Sequence, residues 1–78
     1  MSKLEKLLQK LLNDPPELSY EDVYYILNAF GFEEISIKGS HHTFRNSQKL
    51  KITVPKKGDK VVKRIYLKQI VKLLNLER

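Results

Sequence analysis

The stretch "EISIKGSHHTFRNSQKLKITVP", Glu34–Pro55, decides the fold. It holds three short runs, "EISIK", "HHTFRN" and "LKITV", in which apolar and polar residues alternate. A period of two is the mark of a half-buried strand. Gly39-Ser40 fits a two-residue hairpin loop with glycine first. "NSQ", Asn46–Gln48, supplies the second turn, and Pro55 closes the third run because it has no N–H to give to a ladder. Side chains take opposite faces along a strand. One face should then carry Ile35, Ile37, Phe44, Leu50, Ile52 and Val54, pointing at the helices. The other should carry Ser36, Lys38, His41, Thr43, Arg45, Lys49, Lys51 and Thr53. Every residue of the second set is polar, and five of the eight are His, Lys or Arg. An antiparallel sheet can bury one face and wet the other, so this one is expected to show water a basic face. The two histidines separate accordingly: His41 joins the cations, and His42 sits with Phe44 at the edge of the core.

The flanking segments are helical. "KLEKLLQKLL" spaces Leu4, Leu7, Leu8, Leu11 and Leu12 along one helical face and stops at "NDPP", since two prolines cannot continue a helix. "LSYEDVYYILNAFGF" reads as a second helix with Ser19 as N-cap, Asp22 three residues on, and Gly31 as the left-handed residue after its end. Val23, Ile26, Leu27 and Phe30 form its apolar face. A last helix starts near Lys63–Tyr66 and runs through Tyr66, Leu67, Ile70, Val71, Leu73 and Leu74, with Asn75 and Leu76 as its cap pair. The spacing predicts an α+β fold, α–α–β–β–β–α, with the antiparallel sheet packed on the last two helices. Ile26, Leu27, Phe30, Phe44, Ile52, Val54, Leu67, Ile70 and Leu74 are the expected core. Residues 1–16 form a helical extension with its proline turn, and residues 17–78 the domain proper.

The chain has 78 residues, a single-domain length with room for only a small core. A groove or flat face is a more natural working surface here than a deep cavity. The net charge of +6 hides a split. Met1–Glu34 has three Lys against seven Asp or Glu, or −4; Ile35–Arg78 has twelve Lys or Arg against two acids, or +10. Such a basic half suits a polyanion, with nucleic acid the leading candidate. There is no cysteine, hence no disulfide framework and no thiolate zinc site. "MSKLEKLLQKLL" is too regularly charged for a signal-peptide core, and no apolar run approaches the ~18 residues of a membrane span. A cytoplasmic protein without a membrane partner is expected.

The distribution of acids narrows the chemistry. Seven of nine precede Ile35, and Asp59 and Glu77 stand alone, which is a poor start for a carboxylate-held Mg²⁺ site. The three glycines are isolated at turns, so there is no phosphate-cradling loop. No cofactor and no metal are expected. An enzyme built on this chain would lean on a histidine and cations. RNA suits that, because its 2′-hydroxyl can serve as nucleophile.

The residues "FGFEEISIKGSHHTFRN…LKITVP…YLKQIVKLLNL", within Tyr20–Leu76, resemble the HicA family of toxins from toxin–antitoxin pairs. The "GSHH" segment in that setting is its most specific part. The resemblance implies a fold like the double-stranded-RNA-binding domain, with the N-terminal helix added. It also implies a ribosome-independent mRNA endonuclease active in stress responses, which the scattered acids make metal-independent, and an acidic HicB-like antitoxin that blocks it. It puts the functional histidine in "GSHH", where members of the family differ in which of the two positions holds it. The strand phase favours His41, with His42 in reserve. Many relatives carry a further histidine after the Val-Pro, where this chain has Lys56 and Lys57. The RNA-binding set is Lys38, Ser40, Arg45, Lys49, Lys51, Lys56, Lys57, Lys60, Lys63 and Arg64. A non-catalytic RNA-binding module would use the same frame. A protein-interaction module would instead turn the basic sheet to an acidic partner.

Overall fold

A computed structural model describes residues 2–56 and 60–76. The order is α1 (Lys3–Leu12), β1 (Glu17–Ser19), α2 (Tyr20–Ala29), β2 (Glu33–Lys38), β3 (His41–Arg45), β4 (Lys51–Pro55), β5 (Val61–Lys63) and α3 (Arg64–Leu73). β2, β3 and β4 form the antiparallel sheet in that spatial order. The three helices and this sheet make the expected α+β fold, like a double-stranded-RNA-binding domain with an added N-terminal helix.

The helix ends follow from the residues there. The Ser19 hydroxyl accepts the Asp22 N–H at 3.2 Å and starts α2. At its end Gly31 stands at φ +87°. The Gly31 N–H donates to the Asn28 carbonyl at 3.0 Å, and the Phe32 N–H to the Leu27 carbonyl at 2.9 Å. This doubly bonded cap turns Phe32 back into the core, where it is 2% exposed. α3 ends the same way, with Asn75 left-handed and Leu76 bonded to Val71. α1 begins on Ser2, whose hydroxyl oxygen accepts the Glu5 N–H. It ends at left-handed Asp14 and stops there, since Pro15 has no N–H for the second cap bond.

The core joins all the helices to the inner face of the sheet. Val23, Ile26, Leu27, Phe44, Ile52, Val54, Leu67 and Ile70 are buried. Leu7 and Leu11 of α1 join the same cluster. A ten-residue helix is marginal alone in water. Burying two leucines contributes roughly 3–6 kcal/mol in apolar area and fixes α1 on α2 and α3.

Five features differ from the sequence reading. The sequence reading places no strand at β1 or β5; the two pair antiparallel in a small second sheet, Leu18 opposite Val62, and bury both. Strand β2 carries a bulge: Glu34 lies opposite Phe44, but Ser36 lies opposite Thr43, so Ile35 has no partner. The extra residue breaks the alternation, and Ile35 is exposed instead of buried. Ile37 keeps its phase, opposite His42, yet sits on an edge strand at the margin of the helical layer and is 58% exposed. The turn after β3 runs through Leu50, because the Asn46 side chain accepts the N–H groups of Gln48 and Leu50 and Lys49 turns left-handed. Leu50 is therefore exposed and Lys49 lies outside the strand. Phe30 is the C-cap residue of α2 and is exposed, while Leu74 is only partly buried.

Candidate functional site

The β2–β3 hairpin turns on Gly39, at φ +60°, with Lys38 paired to His41. On the far side His41 pairs with Pro55 of β4. His41 is exposed, and so are Lys38, Arg45 and Lys51. The register brings these four onto the open face of the sheet, with Ser36, Thr43 and Thr53 between them. Lys38 is the direct neighbour of His41. Arg45 and Lys51 pair with each other four residues further along, roughly 13 Å away at strand rise. Thr43 and Thr53 span the gap, their hydroxyls 3.3 Å apart. Among the described residues, no ion pair engages Lys38, Arg45 or Lys51. A pocket lined by Gly31, Glu33, Ile35, Arg45, Asn46 and Ser47 takes in Arg45 at one end of the sheet, whereas the apolar groove between α1 and α3, lined by Leu11, Leu12, Leu67 and Val71, contains none of the predicted site residues.

The remaining cations are placed differently. Lys49 is in the turn. The Lys56 ammonium lies 4.8 Å over the ring of Tyr20, on the covered side. The Ser40 carbonyl accepts the Lys56 N–H at 2.7 Å. Lys63 pairs with Glu17 at 2.8 Å and Arg64 with Asp14 at 3.5 Å. These are exposed pairs of little net worth, about 0–1 kcal/mol, which a phosphate can displace. Lys60 is exposed and left-handed, and its carbonyl accepts the Tyr20 N–H. Lys57 lies outside the described residues.

His42 points the other way and is 8% exposed. Its Nδ1 lies 2.7 Å from Glu34 Oε2 and 2.9 Å from the Tyr20 hydroxyl, which itself donates to the same carboxylate oxygen. The Tyr20 and His42 rings sit 4.6 Å apart. Burial alone would raise the Glu34 carboxyl. The hydrogen bonds from Tyr20 and His42, with the charges of His42 and Lys56, outweigh that and hold it below its ordinary value. Burial, the bond to Glu34 and its charge push the Tyr20 hydroxyl well above the usual tyrosine range. An ionised carboxylate only accepts, so Nδ1 is the donor to Glu34. Sequence reading missed Tyr20 and Glu34. Tyr20 was legible, three residues before Val23 on the apolar face of α2. Glu34 was not, because only the bulge turns it inward.

Helices covering one face of a three-stranded antiparallel sheet, with the other face basic and open, define a double-stranded-RNA-binding-domain-like protein. The family model described as the HicA toxin of bacterial toxin–antitoxin systems matches residues 20–76. The chain belongs to the HicA toxin family. Membership makes it a toxin-type protein of a toxin–antitoxin system, with an antitoxin as partner. No curated protein and no solved structure matches the chain significantly. Among the described residues, no helix is long and apolar enough to cross a membrane.

Proposed function

We propose that the protein is the ribonuclease toxin of its pair, cutting mRNA without a metal ion, with His41 as the proton-transfer group. The observation that carries the reading is an exposed histidine beside Lys38 on an open, cationic sheet face, in a chain of the HicA family. His41 takes the proton of a ribose 2′-hydroxyl as its oxygen attacks the adjacent phosphorus. The bond from phosphorus to the 5′-oxygen breaks, and the imidazolium returns the proton to that leaving oxygen. The products are a 2′,3′-cyclic phosphate and a 5′-hydroxyl end. Lys38 neutralises charge on the phosphate in flight, while Arg45 and Lys51 hold a neighbouring phosphate. Lys49, Lys60, Lys63 and Arg64 offer further phosphate contacts outside the sheet face, and Ser40 shapes the turn beside His41. Residues 17–78 carry this work, and the helix of residues 1–16 is an addition to it. The partner is an acidic HicB-like antitoxin, and the setting the cytoplasm.

The test is incubation of RNA with wild type and His41→Ala in the presence of EDTA. Wild type should cut, and His41→Ala should lose about 10²–10⁴ in rate while keeping its fold. Cleavage by His41→Ala with loss in a folded His42→Ala would move the role to His42. Binding without cleavage by wild type would leave a non-catalytic RNA-binding module.

A further inference from the structure

We propose that Glu34, with Tyr20, is a positioning residue for the cleavage step: by clamping His42 on the covered face, it holds His41, its neighbour in the strand, on the open face. The proposal rests on the ribonuclease reading above. Its starting point is how little else anchors that end of the sheet. β2 is an edge strand, Ile35 and Ile37 on it are exposed, and beyond Lys38 there is only the two-residue loop. At the His41 end of the hairpin the buried side chain is His42, set between Val54 across the β3–β4 pair and the Tyr20 ring, and its hydrogen-bond partners are Glu34 and Tyr20. Glu34 reaches Nδ1 across the β2–β3 pair, and Tyr20 reaches both from the first turn of α2. Tyr20 is tied in turn to the rest of the molecule. Its N–H donates to the Lys60 carbonyl, and its ring lies under the Lys56 ammonium. Lys56 closes the loop by donating its own N–H to Ser40, the residue before His41.

Adjacent strand residues share one backbone and face opposite ways. Fixing the ring of His42 therefore fixes the rotation of the strand about its axis, and with it the direction of His41. A reacting group must be held closely, and a misplacement near 1 Å costs about 10²-fold in rate. The bulge gives Glu34 its reach, because without the extra residue the pairing that turns Glu34 to the face of Phe44 would not hold alongside Lys38 opposite His41.

The test compares wild type, Glu34→Gln, Tyr20→Phe and His41→Ala well below their melting temperatures. Circular dichroism establishes folding, kcat and KM on an RNA oligonucleotide are measured with EDTA, and amide hydrogen exchange is followed at Lys56. Folded Glu34→Gln should lose roughly 10- to 100-fold in kcat with KM changed less than about twofold, and its Lys56 amide should exchange faster. Tyr20→Phe, which keeps the Glu34–His42 contact, should show the same pattern more weakly. A merely structural clamp would lower the melting temperature and leave kcat of the folded protein alone; wild-type kcat in folded Glu34→Gln overturns the proposal, and if only His41→Ala is then inactive the ribonuclease reading stands. Should Glu34→Gln fail to fold, wild-type kcat and Lys56 exchange in Tyr20→Phe overturn it. RNA left intact by wild type overturns the ribonuclease reading and this proposal together.

Discussion

His41 and His42 are neighbours in sequence and opposites in environment, one exposed among cations and one buried against a carboxylate. Their alanine variants should separate stability from activity. His42→Ala leaves the Glu34 carboxylate short of a donor in a mostly buried site. It should cost about 1–3 kcal/mol in urea unfolding, against roughly 0.5 kcal/mol or less for exposed His41→Ala. The same cluster sets the pH response. Glu34 has a folded-state pKa below its unfolded value, so its contribution is present above the ordinary carboxylate value of 4.5 and is lost as pH falls through the folded one. Tyr20 has a folded-state pKa above its unfolded value, so its contribution is present below the ordinary value of 10.0 and is lost as pH rises beyond it. Melts from acid to alkaline pH should show a plateau between these limits, and Glu34→Gln should flatten the acid side.

At the scale of elements, the caps and the bulge decide where side chains point. Gly31 stands at φ +87°, and a Cβ there would meet nothing within 4 Å. The cost of Gly31→Ala is therefore backbone strain alone, about 1–2 kcal/mol, measurable by denaturant unfolding with the fold unchanged. A larger loss would mean that the cap also anchors Phe32 more tightly than its two hydrogen bonds require. The bulge acts in the opposite sense from the caps. It takes an isoleucine that alternation assigns to the core and puts it in water, and it brings in a glutamate. This is legible only in the pairing of two strands, since a bulge is a property of register and not of either strand alone.

Across the whole molecule, charge and layering are arranged together. The acidic half supplies α1 and α2, and the basic half supplies most of the sheet and α3. Lys38, Arg45 and Lys51 face solvent on the side away from the helices. Replacing all three with alanine should weaken binding to single-stranded RNA across sequences. The slope of log affinity against log salt should fall by about 2, near 0.7 per released phosphate contact. Filter binding from low to moderate salt reads that slope. An unchanged slope would put the electrostatic contacts elsewhere, on the Lys60–Arg64 segment.

The sequence by itself determined the helices and their caps, the three main strands, the separation of the two histidines and the basic open face. Each of these rests on local periodicity or on a residue whose backbone preference is strong, as Ser19, Gly31, Gly39 and Pro55 show. Only the tertiary structure decided the pairing of β1 with β5, the exposure of Ile35, Leu50 and Phe30, and the Tyr20–Glu34–His42 cluster. β1 and β5 are three residues each, too short to show a period, and they exist because Leu18 and Val62 are buried opposite one another across 44 positions of chain. Glu34 reads in sequence as one more acid before the basic half. It becomes a partner of His42 because one extra residue in β2 turns it inward, where a buried imidazole and a tyrosine hydroxyl offset the cost of burying its charge.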